Sequence, residues 1–447
     1  MAEVIFVCQN CGAQFPRWQG RCTQCGEWNS LVETVISKEL KKTKKIGKTT
    51  EPQALAKISL QKFDRILTGI SELDRVLGEG IVPGSVILLA GEPGIGKSTL
   101  VLQILGKIKE PSLYVSGEES PQQIKVRAER LTINSSGLEI LPETNIESVI
   151  ETISRLRPAL VIIDSIQVMA SDEFPGNPGG VGQVQICTSK LLDLAKQNNI
   201  PIILVGHVTK EGAIAGPKVL EHLVDVVLYL EGERYHDLRV LRGIKNRFGS
   251  TGEVGIFEMR ERGMIEVKNP SEVLLASRQE APGSVVAAVI EGNRPFLVEI
   301  QGLCSRTSFG YPKRASSGID FNRLNLLIAV LIKRAGFPLF DQDIYLNVVG
   351  GFSLSEPALD LPISLAIGSS ALGKVVKKDL VCFGEVGLTG ELRQVSNIAK
   401  RIKEAEKLGF REVLLPALGL LGKEIKGGRI KILKAKTLKE AIDLALK

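Results

Sequence analysis

Aromatic side chains are scarce in this chain: they make up 5% of its 447 residues, with only two tryptophans, and histidine occurs three times. Binding dominated by stacking on aromatic rings is therefore not expected. Long apolar runs are missing too. The stretch 324–332 is interrupted by Asn325 and falls well short of the roughly 18 residues that a membrane span requires. At the N-terminus a cysteine pair begins at Cys8, where a signal peptide would carry its apolar core and cleavage site. No membrane partner and a soluble, cytoplasmic protein are expected. Charge of one sign is not in large excess either, since 57 Lys and Arg against 50 Asp and Glu leave +7, a balance compatible with a polyanionic partner. Residues 391–447 hold 14 basic and 7 acidic side chains, an excess equal to that of the whole chain. A solvated helical surface accounts for it as well as a polyanion site does. At roughly 100–200 residues per domain the length predicts two to four domains.

What is present is more specific. Four of the seven cysteines fall in the first 25 residues, as Cys8-x2-Cys11 and Cys22-x2-Cys25 with ten residues between the pairs. Each pair can turn two thiolates to one point, and two pairs supply the tetrahedral sulfur set that Zn2+ prefers. Gly12 and Gly26 follow the second cysteine of each pair, where tolerance of positive φ helps the turn close. Two disulfides or a redox pair are the competing readings, and a reducing cytosol favours zinc. So short a segment cannot bury a sizeable core, so the metal holds it together. Cys187, Cys304 and Cys382 lie scattered in apolar stretches and read as small buried hydrophobes. Residues 37–48 (SKELKKTKKIGK) carry six lysines and one glutamate without apolar periodicity, which predicts a linker, either a plain tether or a basic arm for phosphates.

Gly91-Glu92-Pro93-Gly94-Ile95-Gly96-Lys97-Ser98 then fits G-x-x-x-x-G-K-[ST] without a gap. Residues 86–90 (VILLA) before it predict a buried strand, and the apolar spacing over 99–108 predicts a helix beginning near Thr99. In such a P-loop the backbone N–H groups gather phosphate oxygens at a helix N-terminus, Lys97 reaches the β and γ phosphates of ATP, and Ser98 offers a hydroxyl to Mg2+. A carboxylate for the metal's water shell is expected at the end of a hydrophobic strand, and residues 160–164 (LVIID) supply Asp164. Between these two lies a third strand, residues 112–119 (SLYVSGEE), whose carboxyl end carries acids. Either Glu118 or Glu119 can activate the attacking water, with the other starting the helix before Pro121. A fourth strand over 201–206 runs into His207, placed either to sense the γ-phosphate or simply to serve the fold.

This order of P-loop, strand-Glu, strand-Asp and strand-polar resembles the RecA-type core, and Lys245-Asn246-Arg247-Phe248-Gly249 resembles the KNRFG signature of the bacterial RadA (Sms) repair proteins. With the four-cysteine element and the C-terminal region, that resemblance covers nearly the whole chain. It implies an ATP-hydrolysing, DNA-dependent, helicase-like motor, similar to DnaB-type replicative helicases. Such motors form hexameric rings, work on single-stranded and branched DNA beside a RecA-type recombinase, and promote branch migration in homologous recombination. By the same resemblance Lys245 and Arg247, one residue apart on a strand and so on one side of it, reach a neighbouring subunit's nucleotide. Loops 165–182 and 209–218 would face single-stranded DNA; the first has no Lys or Arg and is too rich in Gly and Pro for regular structure, while the second offers Lys210 and Lys218. With few aromatics, salt-sensitive backbone tracking is the expected mode of contact.

From about Asn269 the chain resembles the proteolytic domain of Lon proteases, through residues 350–360 (GGFSLSEPALD) and 384–391 (GEVGLTGE). Aligned on these, Lon's nucleophilic serine falls on Ala358 and its lysine near Ala399. Alanine supplies neither hydroxyl nor amine for a Ser-Lys dyad; Ser353, Ser355 and Lys400 are near, but a one-residue shift on a helix turns a side chain by about 100°. A scaffold for ring assembly is expected there and not an enzyme, either a scaffold alone or one that also has a basic DNA-facing surface. The fold class is thus α/β: a zinc ribbon over 1–30, a basic flexible linker over 31–56, a RecA-like P-loop ATPase over 57–268, and a Lon-protease-like α+β domain without the dyad over 269–447. Two alternatives remain: a nucleotide-gated protein that loads partners on DNA without translocating, and an ATP-dependent protease.

Overall fold

The structure is a computed structural model that describes residues 3–8, 13–24, 26–36, 64–134, 136–207, 220–232, 237–308, 310–351, 354–417 and 428–446. Cys11, Cys25, the lysine-rich segment 37–48, the loop 209–218 and Ser353 lie outside these residues. Two compact units are present, one made of Met1–Glu231, Val240–Thr251 and Met259–Glu266, the other of Gly232–Arg239, Gly252–Glu258 and Val267–Lys447.

The N-terminal element is a three-stranded antiparallel sheet of β1 (Glu3–Cys8), β2 (Gln14–Phe15) and β3 (Leu31–Ile36) in the order β2-β1-β3. Residues 31–36, expected in the flexible linker, are instead β3, registered along all of β1 from Glu3↔Ile36 to Cys8↔Leu31. The alternation LVETVI suits a strand, and pairing with β1 outweighs the adjoining lysine-rich composition. Cys8 and Cys22, one from each cysteine pair, are buried in one small cluster with Leu31, and Gly26 after the second pair has φ +80°. Two thiols from different pairs held in one place, with the left-handed turn the glycine allows, fit a zinc ribbon.

Most of the first unit is a sheet with helices. The strands of the nine-stranded sheet are β4 (Val86–Gly91), β5 (Ser112–Ser116), β6 (Leu138–Pro142), β7 (Leu160–Asp164), β8 (Ile202–His207) and β9 (Val226–Glu231), followed by β10 (Leu238–Asn246), β11 (Val254–Arg260) and β12 (Gly263–Glu266); the first two residues of β10 and most of β11 are assigned to the second unit. The order is β12-β11-β10-β9-β4-β8-β7-β5-β6, parallel from β9 to β6 and antiparallel between β9 and β10. Both β4 and β7 are buried at every position, as parallel strands covered on both faces must be. The helices here are α1 (Ser71–Leu77), α2 (Lys97–Leu105), α3 (Pro121–Arg130), α4 (Ile146–Leu156) and α5 (Val181–Asn198). Helix α2 stops at Leu105, three residues before the expected end, because Gly106 caps it. Neither Glu118 nor Glu119 starts α3: Ser120 accepts from Gln123 N and the Gln123 side chain returns to Ser120 N, a full capping box. Ile146, Val149 and Ile153 give α4 its buried stripe.

The second unit contains α6 (Pro270–Leu275), β13 (Ser284–Glu291), β14 (Arg294–Arg306), β15 (Arg314–Ser317), α7 (Phe321–Arg334), β16 (Gln342–Val348), α8 (Asp360–Leu372), β17 (Leu380–Cys382), β18 (Glu385–Val386), β19 (Leu392–Arg393), α9 (Ile398–Lys407), β20 (Glu412–Pro416), β21 (Lys431–Ala435) and α10 (Leu438–Ala445). A mixed seven-stranded sheet runs β15-β16-β14-β13-β17-β20-β21, with β18 and β19 as a separate ribbon. Helix α8 is buried from Asp360 through Ser369, as its apolar and small residues on every face require. Among the described residues no helix is long and apolar enough to cross a membrane.

Candidate nucleotide site and family membership

Strand β4 ends at Gly91, and after a five-residue turn α2 begins at Lys97. Gly96 has φ +115°, a left-handed backbone conformation that demands glycine, whereas the contacts a Cβ would make there, 2.3 and 2.4 Å from the terminal methyls of Met264 and Met259, could be relieved by those flexible side chains. As N-cap of α2, Gly96 brings no side-chain acceptor, which leaves the first turn around Ser98 and Thr99 open to an anion. Lys97 is buried, and its ammonium donates to the carbonyls of Gly91 (2.8 Å) and Glu92 (2.9 Å). Burial lowers its pKa to about 8, with the charges of Asp164 and Glu118 pulling the other way.

Register brings the other groups to the same edge. Gly91 pairs with His207, and Asp164 pairs with Ser116 on one side and Val205 on the other. The carboxyl ends of β4, β5, β7 and β8 therefore form one rim, where ligands of open parallel sheets bind. Asp164 accepts a 2.5 Å hydrogen bond from the hydroxyl of Tyr114, which is fully buried beneath it. Burial, then the Asp164 charge, push the Tyr114 phenol well above its ordinary value, so it remains a donor. Glu118 is exposed; its Oε1 accepts from Ser165 Oγ at 2.5 Å and lies 3.8 Å from His207 Nε2. Glu119 is turned away and paired with Arg127 on α3. The geometry thus separates two acids that are adjacent in sequence. Burial and the Lys97 charge lower the His207 pKa, and its Nδ1 is buried with no hydrogen-bond partner among the described residues.

Segment 165–182 is more ordered than its composition predicts. It contains a 3-10 turn, Ile166–Val168, a bridge from Ala170 to Asn145, and the start of α5. Gln183 holds it by donating to the carbonyls of Ser171, Phe174 and Gly176, while Glu147 accepts from Ser171 and pairs with Lys190. Polar side chains contributed from α4 and α5 outweigh the glycines and prolines.

Lys245 and Arg247 lie elsewhere. Strand β10 runs antiparallel to β9 and ends beside its beginning, with Lys245↔Val227 and Asn246↔Val226. That is the amino end of the parallel strands, opposite the P-loop rim; the five steps from Val86 to Gly91 amount to ~17 Å at about 3.3 Å per residue. Arg247 lies just past the strand end, not on it, because the turn at residues 247–249 begins there. Both side chains do address one segment. Lys245 donates to the carbonyls of Glu221 (2.7 Å), His222 (3.4 Å) and Val224 (2.8 Å), and Arg247 pairs with Asp225 at 3.1 Å.

Comparison with known proteins resolves the family. DNA repair protein RadA of Halalkalibacterium halodurans is 48% identical over 99% of this chain and 98% of its own length. Those of Bacillus subtilis (50% identity, 93% of each chain) and Pseudomonas aeruginosa (46%, 99% and 98%) agree. The chain belongs to the RadA family of DNA repair proteins. Within it, the family described as KaiC ATPase matches residues 66–146, the rubredoxin metal binding domain residues 6–33, and subunit ChlI of Mg-chelatase residues 323–418. This RadA-family chain therefore has a RecA-type ATPase domain, which implies ATP binding and hydrolysis, an N-terminal zinc ribbon and a C-terminal ChlI domain.

In the C-terminal region of this RadA-family chain, Ala358 is buried in a cluster with Val286, Val381 and Phe383, whereas Ala399 is exposed on α9. Lys400 is exposed and reaches the carbonyl of Asn293 at 3.4 Å. What sequence reading missed is a fully buried Arg401, paired with Glu356, donating to Ala288 O (2.6 Å) and Ser396 O (3.1 Å), its guanidinium 5.5 Å from the Phe383 ring centre. Arg323 likewise forks onto buried Asp360, which also accepts from Val386 N. Charged residues at apolar spacing on α7 and α9 were the available signal. Tyr114 was missed as well, since a tyrosine inside a buried strand reads as core.

Proposed function

We propose that the protein is an ATP-driven motor that works on single-stranded and branched DNA, in the cytoplasm and beside a RecA-type recombinase, promoting branch migration of recombination intermediates. It works as a homo-oligomeric ring, hexameric by family resemblance, with each nucleotide bound between subunits. The observation that carries this reading is the separation of two charged sets: Lys97, Glu118, Asp164 and His207 share one rim of the sheet, while Lys245 and Arg247 sit at the other end. The second set cannot reach the nucleotide of its own chain, and a neighbouring subunit's site is the natural target for Arg247.

Residues 91–99 cradle the phosphates. Ser98 and Asp164 would hold the oxygen shell of a Mg2+ ion bound with ATP, which would supply charge neutralisation at the phosphates, and the protein's own groups do the remaining work. Lys97 leaves its two carbonyls for the phosphates, Tyr114 fixes the orientation of Asp164, and Glu118, steadied by Ser165, takes the proton of the attacking water. Cys8, Cys11, Cys22 and Cys25 hold one Zn2+, whose role is structural. The ATPase extends over 57–268. The Lon-like region, 269–447, acts as scaffold without peptidase activity, since Ala358 packs in a core and Arg401–Glu356 occupies the interior beside it.

The test is a three-stranded junction assay with ATP, run beside hydrolysis with and without single-stranded DNA. Strand exchange that requires ATP turnover supports the motor; DNA-stimulated hydrolysis with no strand movement replaces it with the loading protein. Processing of an unfolded protein substrate would revive the protease.

A further inference from the structure

The chain has two tryptophans, and both lie in the zinc ribbon. Neither contributes to its core, which is Cys8, Cys22 and Leu31 with Phe6, Ala13 and Phe15 packed against them. Instead Trp18 is 57% and Trp28 66% exposed. Leaving both indoles in water forgoes the burial that normally stabilises so small an element. The two rings also converge: from the point where a Cβ on Gly20 would stand, Trp28 is 3.7 Å and Trp18 3.8 Å away. The turn that presents them is fixed by the Arg21↔Trp28 bridge and by Asn29 N donating to Gly20 O at 2.8 Å. Arg21 is pinned through Nε to Gly26 O (2.8 Å), with its guanidinium 5.7 Å from the Trp28 ring centre. Arg17, next to Trp18, is exposed.

Two open indoles flanked by two arginines combine π-faces with positive charge, the chemistry that holds a base and its phosphate together. Over the described ribbon Arg17 and Arg21 stand against Glu27, with Glu3 and Glu33 in the strands β1 and β3, so the positive charge is local to the two rings: Arg21 lies over Trp28 and Arg17 adjoins Trp18 in sequence. A protein partner would meet the same rings, but this local positive charge favours a polyanion. We propose that the Trp18–Trp28 face of the ribbon is a base-stacking platform for single-stranded nucleic acid, separate from the nucleotide rim and independent of ATP. It concentrates in one place the aromatics that the chain as a whole lacks.

Because these are the only tryptophans, intrinsic indole emission of the full-length, zinc-loaded protein reports on this face alone. Titration with a thymidine oligonucleotide of about 20 nucleotides, without ATP, should quench the emission saturably, while an abasic oligomer of equal length should not. Anisotropy of the labelled oligonucleotide, measured in parallel, should show binding weakened about tenfold or more in Trp18→Leu/Trp28→Leu, with zinc content and basal ATP hydrolysis unchanged. Trp18→Phe, which keeps a ring, should stay near wild type. DNA that binds with the emission unmoved, abasic and thymidine strands that quench alike, or an emission change that answers only to a RecA-type recombinase would each overturn the proposal; the abasic comparison needs no variant. Loss of ATP hydrolysis or strand exchange with quenching intact would count against the motor reading and leave the platform standing.

Discussion

Lys97 is buried against its own loop, and its lowered pKa of about 8 makes the nucleotide site sensitive to pH in one direction. Burial disfavours the ammonium, whereas triphosphate favours it, so nucleotide binding raises the pKa again. Below about pH 8 the charge is already present. Above it, binding must take up a proton, and affinity should fall by up to about tenfold per pH unit until the complex's own pKa is reached. A fluorescent ATP analogue titrated across that range checks the slope; a flat profile would show that Lys97 does not meet the phosphates. Lys97→Ala should abolish hydrolysis. Tyr114→Phe removes the donor to Asp164 and should cost about 1.5–3 kcal/mol in urea unfolding, while shifting the Mg2+ dependence of hydrolysis and leaving metal-free nucleotide binding alone. At this scale Lys97, Asp164 and Ser98 were legible because a local motif carries them. Choosing Glu118 over Glu119 required the partners Ser165 and Arg127, 47 and 8 residues away in sequence.

Elements were legible where their signal is local. The VILLA run lies within β4, and LVIID coincides with β7. Strand β3 was not, because its pairing with β1 spans the cysteine-rich turn; nor was the order in 165–182, which depends on Gln183 and Glu147 from two helices. The same blindness hid Arg401 on α9, whose surroundings come from Ala288 on β13, Phe383 just past β17, Ser396 and the turn at Glu356. Its pair is fully enclosed on the arginine side, so Arg401→Met, which strands the Glu356 carboxylate against Ile290 N alone, should destabilise the protein by about 3–5 kcal/mol. Replacing both partners, as Glu356→Gln/Arg401→Met, should recover a good part of that in chemical denaturation. No variant of the pair should gain peptidase activity, since neither restores a hydroxyl at position 358 or an amine at position 399. A double variant as unstable as Arg401→Met would mean that the cost comes from lost packing around Phe383 and not from the unpaired charge.

For the whole molecule the informative feature is which charges are far apart. Arg247 is about half exposed and ion-paired to the buried carboxylate of Asp225, whose other oxygen accepts from Val86 N at 3.1 Å, at the start of the strand that ends in the P-loop. In the function proposed above, a guanidinium anchored at the amino end of β4 acts outward, on another subunit. Lys245 is different: three backbone carbonyls of its own chain hold it, so Lys245→Ala should disturb the 221–224 turn and lower stability before it alters catalysis. Arg247→Ala should spare nucleotide and DNA binding while removing DNA-stimulated hydrolysis, since an arginine supplied in trans is worth about 10^3–10^5 in rate. Mixing decides the matter. A Lys97→Ala subunit still offers its Arg247, and an Arg247→Ala subunit still offers an intact P-loop, so mixed rings contain some complete composite sites. Hydrolysis should therefore rise above that of either variant alone, passing through a maximum as the ratio is varied. If the two variants co-assemble by cross-linking and activity stays at the sum of the separate values, Arg247 does not work across subunits, and its pairing with Asp225 is a structural clamp on the amino end of the sheet.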